Sequence, residues 1–146
     1  MSNFDAINVL LIEDNPGDVR LTEEAFRESR MLCHLHVVGD GDAALDYLLK
    51  QGAYAKEPRP DLILLDWNLP RRSGREVLEQ IKQNVDLRII PVVVLTTSAA
   101  EEDVLRAYNL NANCYITKPV DFDQFIRIVH TIDDFWLTVV KLPGRL

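Results

Sequence analysis

The stretch "DLILLDWNLP" at residues 61–70 runs four apolar residues, Leu62 to Leu65, straight into Asp66, then into Trp67, Asn68 and Pro70. A short, continuous apolar run bounded by turn residues reads as a strand buried on both faces, which is the signature of a parallel sheet covered by helices. A carboxylate at the mouth of such a strand is costly to bury and calls for a chemical reason.

Similar runs lie on either side: "INVLLI" at 7–12, "HLHVVG" at 34–39, "IIPVVVLTT" at 89–97 and "ANCYITK" at 112–118. Helical patterns with their own start signals separate them. Asn15 before Pro16 suits an N-cap and first helical position, with Val19, Thr22 and Phe26 following on one face. Ala44, Leu45, Leu48 and Leu49 form the stripe of a second helix, for which Gly52 offers a stop. Ser73 with Glu76, and Ser98 with Glu101, have capping-box spacing ahead of Val77, Leu78 and Ile81 and of Val104, Leu105 and Tyr108. "DFDQ" at 121–124 opens a last helix in nearly the same way. Strands and helices in strict alternation imply an α/β fold, a five-stranded parallel sheet with helices on both faces, because parallel strands need crossovers and the crossovers cover the sheet. The segment at 51–60 reads as a surface loop.

With 146 residues, 47% of them hydrophobic, the chain has the length of one domain. Its net charge of −7 argues against a nucleic-acid or anionic-membrane partner, since phosphates are held mainly by Lys and Arg. Cys33 and Cys114 lie in apolar surroundings without metal-binding or redox spacing, and read as buried thiols. The N-terminus lacks the pattern of a signal peptide, and no apolar run approaches the ~18 residues of a membrane span, so a cytoplasmic protein is expected.

In an open parallel sheet, ligands bind at the carboxyl ends of the strands. Those ends carry Glu13 and Asp14, Asp66, Thr96 and Thr97, and Lys118 with Pro119. Carboxylates within ~4 Å of each other repel by roughly 4 kcal/mol per pair at an effective dielectric near 20, so positive charge must offset them. Oxygen ligands without His or Cys suit Mg²⁺ in a half-open site. A hard cation, a lysine and a hydroxyl would together stabilise a transferring phosphoryl group, with a carboxylate as nucleophile. Each residue alone has a plainer reading: Asp14 a turn residue, Lys118 a surface cation, Thr96 an ordinary strand residue. Their meeting at separate strand ends is what points to a site.

These residues resemble the receiver domain of two-component response regulators, which has a flavodoxin-like (β/α)5 fold. The resemblance rests on "LLIEDN", "LILLDWNLPRRSG", "VVVLTTS" and "CYITKP" in that order, and covers about residues 6–135 of a single receiver domain spanning 1–146, with 136–146 as a short apolar extension. It implies that Asp66 accepts a phosphoryl group from a histidine kinase. It also implies that Glu13, Asp14, Asp66 and the Asn68 carbonyl hold Mg²⁺, that Thr96 is the switch hydroxyl, that Lys118 pairs with the phosphoryl group, and that Tyr115 moves inward as Thr96 moves. Pro119 is expected after a cis peptide bond, and Gly74 where the family keeps a small residue. Thr97 departs from the usual Ala or Gly and is expected to narrow access; Trp67 reads as a half-covered packing residue. Asn68 and Ser98 stand where receivers set phosphoryl lifetime.

A narrower similarity, in "EPRPDLILLDWNLP", "GREVLEQIKQN" and "FWLTVVKLP", is to the single-domain regulators that partner cyanobacterial phytochrome kinases. Few residues follow the last helical pattern, so output is expected through the receiver's own surfaces. Phe135, Trp136, Val139 and Val140 near the C-terminus suggest a homodimer contact. Two other functions fit less well. A phosphatase of the haloacid-dehalogenase type wants an acid two residues after the nucleophile, where this chain has Asn68. A phosphorylation-independent interaction module would usually have lost the acceptor Asp or the Lys.

Overall fold

The structure is a computed structural model that describes residues 7–29, 33–107, 110, 112–119 and 123. The chain alternates as expected: β1 (Ile7–Ile12), α1 (Pro16–Ser29), β2 (Cys33–Val38), α2 (Gly41–Leu48), a 3-10 turn (Gly52–Tyr54), β3 (Leu62–Asp66), α3 (Gly74–Gln83), β4 (Val92–Thr96), α4 (Ala99–Ala107) and β5 (Cys114–Thr117). All pairings are parallel, in the order β2-β1-β3-β4-β5. The chain therefore reverses its direction of winding between β1 and β3, the crevice where such sheets bind ligands.

Every residue of β3 and β4 is buried, which explains their lack of apolar alternation. Leu10, Ile12, Ile63, Leu65, Val92 and Val94 face one layer, with Tyr47 and Leu48 of α2, Val77, Leu78 and Ile81 of α3, and Leu105 of α4. Val9, Leu11, Leu62, Leu64, Val93 and Leu95 face the other, with Phe26 of α1. The helix starts are chemically explicit. The Asn15 side chain accepts from the Asp18 N–H at 3.0 Å, Asp40 caps α2 through the Ala43 N–H, and Ser73 with Glu76 forms a complete capping box on α3.

Several expectations shift. α2 ends at Leu48, four residues before Gly52, because Lys50 adopts φ 58° and its N–H bonds to the Tyr47 carbonyl while the Gln51 N–H reaches the Asp46 carbonyl. That pair of bonds is a Schellman stop with Lys in the left-handed position where Gly or Asn is usual. Leu49 then points to solvent at 47% exposure, and Tyr47 takes its place in the core. β4 is shorter than the apolar run at 89–97, since Leu87 to Ile90 form a turn and Pro91 cannot donate to the ladder. In α4, Leu105 is buried but Val104 is exposed. Cys114 is half-buried rather than buried. Tyr108, the helix expected after "DFDQ", the side chain of Cys33 and the dimer residues Phe135, Trp136, Val139 and Val140 lie outside the described residues.

Two glycines set the loop after β3. A Cβ on Gly41 would fall 2.2 Å from the Arg72 carbonyl oxygen, and one on Gly74 would lie 2.8 Å from the Asp66 carbonyl oxygen and from the Trp67 Cα. The neighbours are backbone and cannot swing aside. Arg71 and Arg72 also tie this loop to α2 through Asp40 at 3.4 Å and Asp42 at 2.9 Å, although exposed pairs of this kind add little on their own. Gly74→Ala is expected to cost about 2 kcal/mol by overpacking against the end of β3. Urea unfolding checks this, and an unchanged midpoint would show that the loop can give way.

Candidate functional site

The sheet register assembles the site. Ile12 pairs with Leu65, so the next residues, Glu13 and Asp66, come side by side at the carboxyl edge. Thr96 pairs with Thr117, which puts Lys118 just beyond Thr96. Glu13, Asp66 and Thr96 are each no more than 2% exposed, while Asp14 is exposed. Glu13, Asp14 and Asp66 each offer a carboxylate oxygen within 4.8 Å of the others. An oxygen-only trio, partly open to water, fits a hard divalent ion such as Mg²⁺.

Lys118 reaches into this acidic edge. Its ammonium lies 2.9 Å from Asp18, 3.2 Å from Glu13 and 3.4 Å from Asp66. Burial opposes the charge on Lys118, but Asp18, Asp66 and Glu13 more than offset it and hold its pKa above the usual lysine range. For Glu13 the balance goes the other way. Burial, then the hydrogen bond and repulsion from Asp66, push its pKa up to about 7 against the pull of Lys118 and of the Asn15 N–H. The second oxygen of Asp66 accepts from the Asn68 N–H at 3.1 Å. Asp66 is thus fixed at both oxygens, by a cation and by an amide. The Lys118–Pro119 bond is cis, as the resemblance implied.

Asp18 is the residue that sequence reasoning missed. An acidic residue in the first turn of a helix is ordinary, because it complements the helix dipole. Only the folded chain shows that this turn faces the end of β5. Glu13 rather than Asp14 also serves the turn into α1, accepting from the Asn15 N–H at 3.2 Å.

The mouth of the site is bridged by Glu101. Its Oε1 accepts from the Thr97 N–H at 3.0 Å, the Thr97 hydroxyl at 3.3 Å and the Asn68 side-chain amide at 3.4 Å. The expected box on α4 is therefore half formed: Ser98 Oγ accepts from the Glu101 N–H, while the Glu101 carboxylate turns to Thr97 instead of back to Ser98. The Thr96 hydroxyl lies within hydrogen-bond reach of the Ser98 carbonyl at 3.2 Å and the Ile116 carbonyl at 3.3 Å. Tyr115 is already inside, 8% exposed, and its oxygen accepts from the Leu110 N–H. Trp67 is half-buried against the core layer of α2 and α3.

Residues 9–130 match the family model of the response regulator receiver domain, and the chain belongs to that family. It is thus a receiver-domain response regulator of two-component signalling. It is 50% identical over 136 residues to the response regulator Rcp1 of Synechocystis sp., covering 93% of this chain and 92% of that protein. The structure of the Mn²⁺-bound form of Rcp1 is similar, with a TM-score of 0.74 and 48% identity over 94% of this chain and 99% of the other. The phosphorylated cyanobacterial phytochrome response regulator RcpA aligns with a TM-score of 0.75 and 47% identity over 95% and 99% of the two chains. Among the described residues no helix is long and apolar enough to cross a membrane.

The raised pKa of Glu13 predicts a pH effect. A carboxyl whose folded pKa lies above its ordinary 4.5 holds its proton better in the folded state, so its contribution to stability is full below about 4.5 and is lost as pH rises through about 7. In metal-free protein, the thermal midpoint of Glu13→Gln is therefore expected to fall less than that of wild type between those two values. Parallel profiles would contradict the assignment. Mg²⁺ affinity is expected to weaken as pH falls through about 7, since the proton competes for Glu13.

Proposed function

We propose that this protein accepts a phosphoryl group from a histidine kinase on Asp66, with Mg²⁺ held by Glu13, Asp14, Asp66 and the Asn68 carbonyl. The observation that carries the reading is the setting of Asp66: buried at a strand mouth, one oxygen on the Asn68 N–H and the other on Lys118, with two more carboxylates within metal-ligand reach. An Asp66 oxygen attacks phosphorus; the new O–P bond forms as the N–P bond of the kinase phosphohistidine breaks, and the electron pair returns to the imidazole. Lys118 shifts from sharing three carboxylates to pairing with a phosphoryl oxygen, and Thr96 leaves its two carbonyls to donate to another. When bound, Mg²⁺ neutralises charge on the transferring phosphoryl oxygens.

Asn68 supports a switch over a phosphatase. Its side-chain amide donates to Glu101, and its N–H groups are too weakly acidic to protonate a leaving group. The cyanobacterial relatives support a phytochrome-type kinase as donor, which fits a cytoplasmic setting. The homodimer contact through Phe135, Trp136, Val139 and Val140 rests on the apolar sequence there.

Incubated with Mg²⁺ and a phosphorylated phytochrome-type kinase, the wild-type protein is expected to gain one phosphoryl mass and Asp66→Asn none. Lys118→Met is expected to slow the transfer by roughly a hundredfold, as for loss of one charge-stabilising group. Equal labelling of wild type and Asp66→Asn would place the acceptor elsewhere.

A further inference from the structure

α2 and α3 both start at the phosphorylation edge and end at the opposite edge of the sheet, the ten residues of α3 spanning about 15 Å. Between their ends lies a groove of about 620 Å³, within the ~300–1,000 Å³ range of ligand sites. Three of its lining side chains, Leu49, Val85 and Ile89, are large, apolar and 47%, 66% and 58% exposed. Large exposed apolar residues gathered on one groove are informative where scattered ones are not.

The chain holds these side chains outward by specific means. The Asn84 side chain accepts from the Asp86 and Leu87 N–H groups, so the α3–β4 turn is set, with Leu87 and Ile90 buried and Val85 and Ile89 facing out. On the other wall, Lys50 occupies the left-handed position of the Schellman stop, where a glycine would carry less strain. The strained choice puts a cation on the rim.

Charge complements the apolar floor. Lys50 and Arg59 line the groove against a single carboxylate, Asp86, in a chain whose net charge is −7. Neither cation forms an ion pair among the described residues; Lys50 donates to the Glu57 carbonyl at 2.7 Å and Arg59 to the Asp86 carbonyl. A hydrogen bond to a carbonyl leaves the positive charge in place. A symmetric dimer with this groove facing its own copy is disfavoured, because it would set Lys50 and Arg59 against the same cations of the other chain.

We propose that the groove between the ends of α2 and α3 docks an acidic segment of a partner protein that carries bulky apolar side chains. The apolar side chains sit on Leu49, Val85 and Ile89, and the acidic ones meet Lys50 and Arg59. Because the groove opens on the edge opposite Asp66, docking leaves the phosphorylation mouth uncovered.

The probe is a fluorescein-labelled peptide of alternating Glu and Leu pairs, titrated with the full chain and read by fluorescence polarisation, beside two peptides of equal length in which Lys replaces Glu or Ser replaces Leu. Only the Glu–Leu peptide is expected to bind, with affinity that falls as salt is raised. Ile89→Asp is expected to weaken it by at least about tenfold, mainly through faster release. Lys50→Gly is the decisive variant, because Gly fits the left-handed position and keeps or raises the thermal midpoint while removing the charge. It is expected to bind the Glu–Leu peptide several-fold more weakly. Equal binding of the Lys–Leu peptide, no binding of the Glu–Leu peptide, or unchanged affinity in both variants would overturn the proposal. A change in oligomeric mass with Ile89→Asp would also overturn it, by assigning the groove to a second copy.

Discussion

One ammonium holds the carboxyl edge of this sheet together. Four carboxylates, Glu13, Asp14, Asp18 and Asp66, crowd a region where Lys118 is the cation in contact with three of them. A pair of carboxylates ~4 Å apart costs roughly 4 kcal/mol at an effective dielectric near 20, so the cluster tolerates full ionisation poorly with one compensating charge. The structure answers in two ways. Glu13, which is buried, keeps its proton up to about pH 7, and Asp14 stays in solvent. What remains is a site short of positive charge around Asp66, the condition that favours a divalent cation and suits the proposed transfer, which spreads charge over phosphoryl oxygens. Removing one partner from a buried pair usually costs about 3–5 kcal/mol, so Lys118 also supports the fold.

Polar contacts also join the loops around this edge. Thr96 is buried, and its hydroxyl is taken by two carbonyls, one at the start of the segment into α4 and one on β5. In the proposed switch, turning it toward a phosphoryl group on Asp66 would give up these contacts. Glu101 ties the same segment to Asn68 across the mouth. A phosphoryl group on Asp66 brings negative charge toward that carboxylate and acts against the tie. Tyr115 is packed inside, with its oxygen accepting from the Leu110 N–H.

Most of the architecture was legible because continuous apolar runs bounded by Asn, Asp, Gly and Pro leave few alternatives to buried parallel strands. The strand-end residues followed from topology. Errors arose where several structures share one local pattern. The run from Ile89 to Thr97 hides a turn, and the apolar letters of Leu49 and Val104 match a helix stripe although both point outward. Asp18 was invisible for a different reason: it meets Lys118 across a hundred residues of chain, and its position is fully explained by the helix it starts. Glu101 had the right spacing for a capping box but bonded one residue upstream, a choice decided by the position of Asn68 on another loop.

The most direct measurement is a crystal structure of the protein with Mg²⁺ and beryllofluoride, a stable mimic of the aspartyl phosphate. The account predicts the adduct on Asp66, Lys118 paired with one fluoride, and the Thr96 hydroxyl moved off the Ser98 and Ile116 carbonyls to another. An adduct attached elsewhere, or one on Asp66 with Thr96 still bonded to those carbonyls, would contradict it.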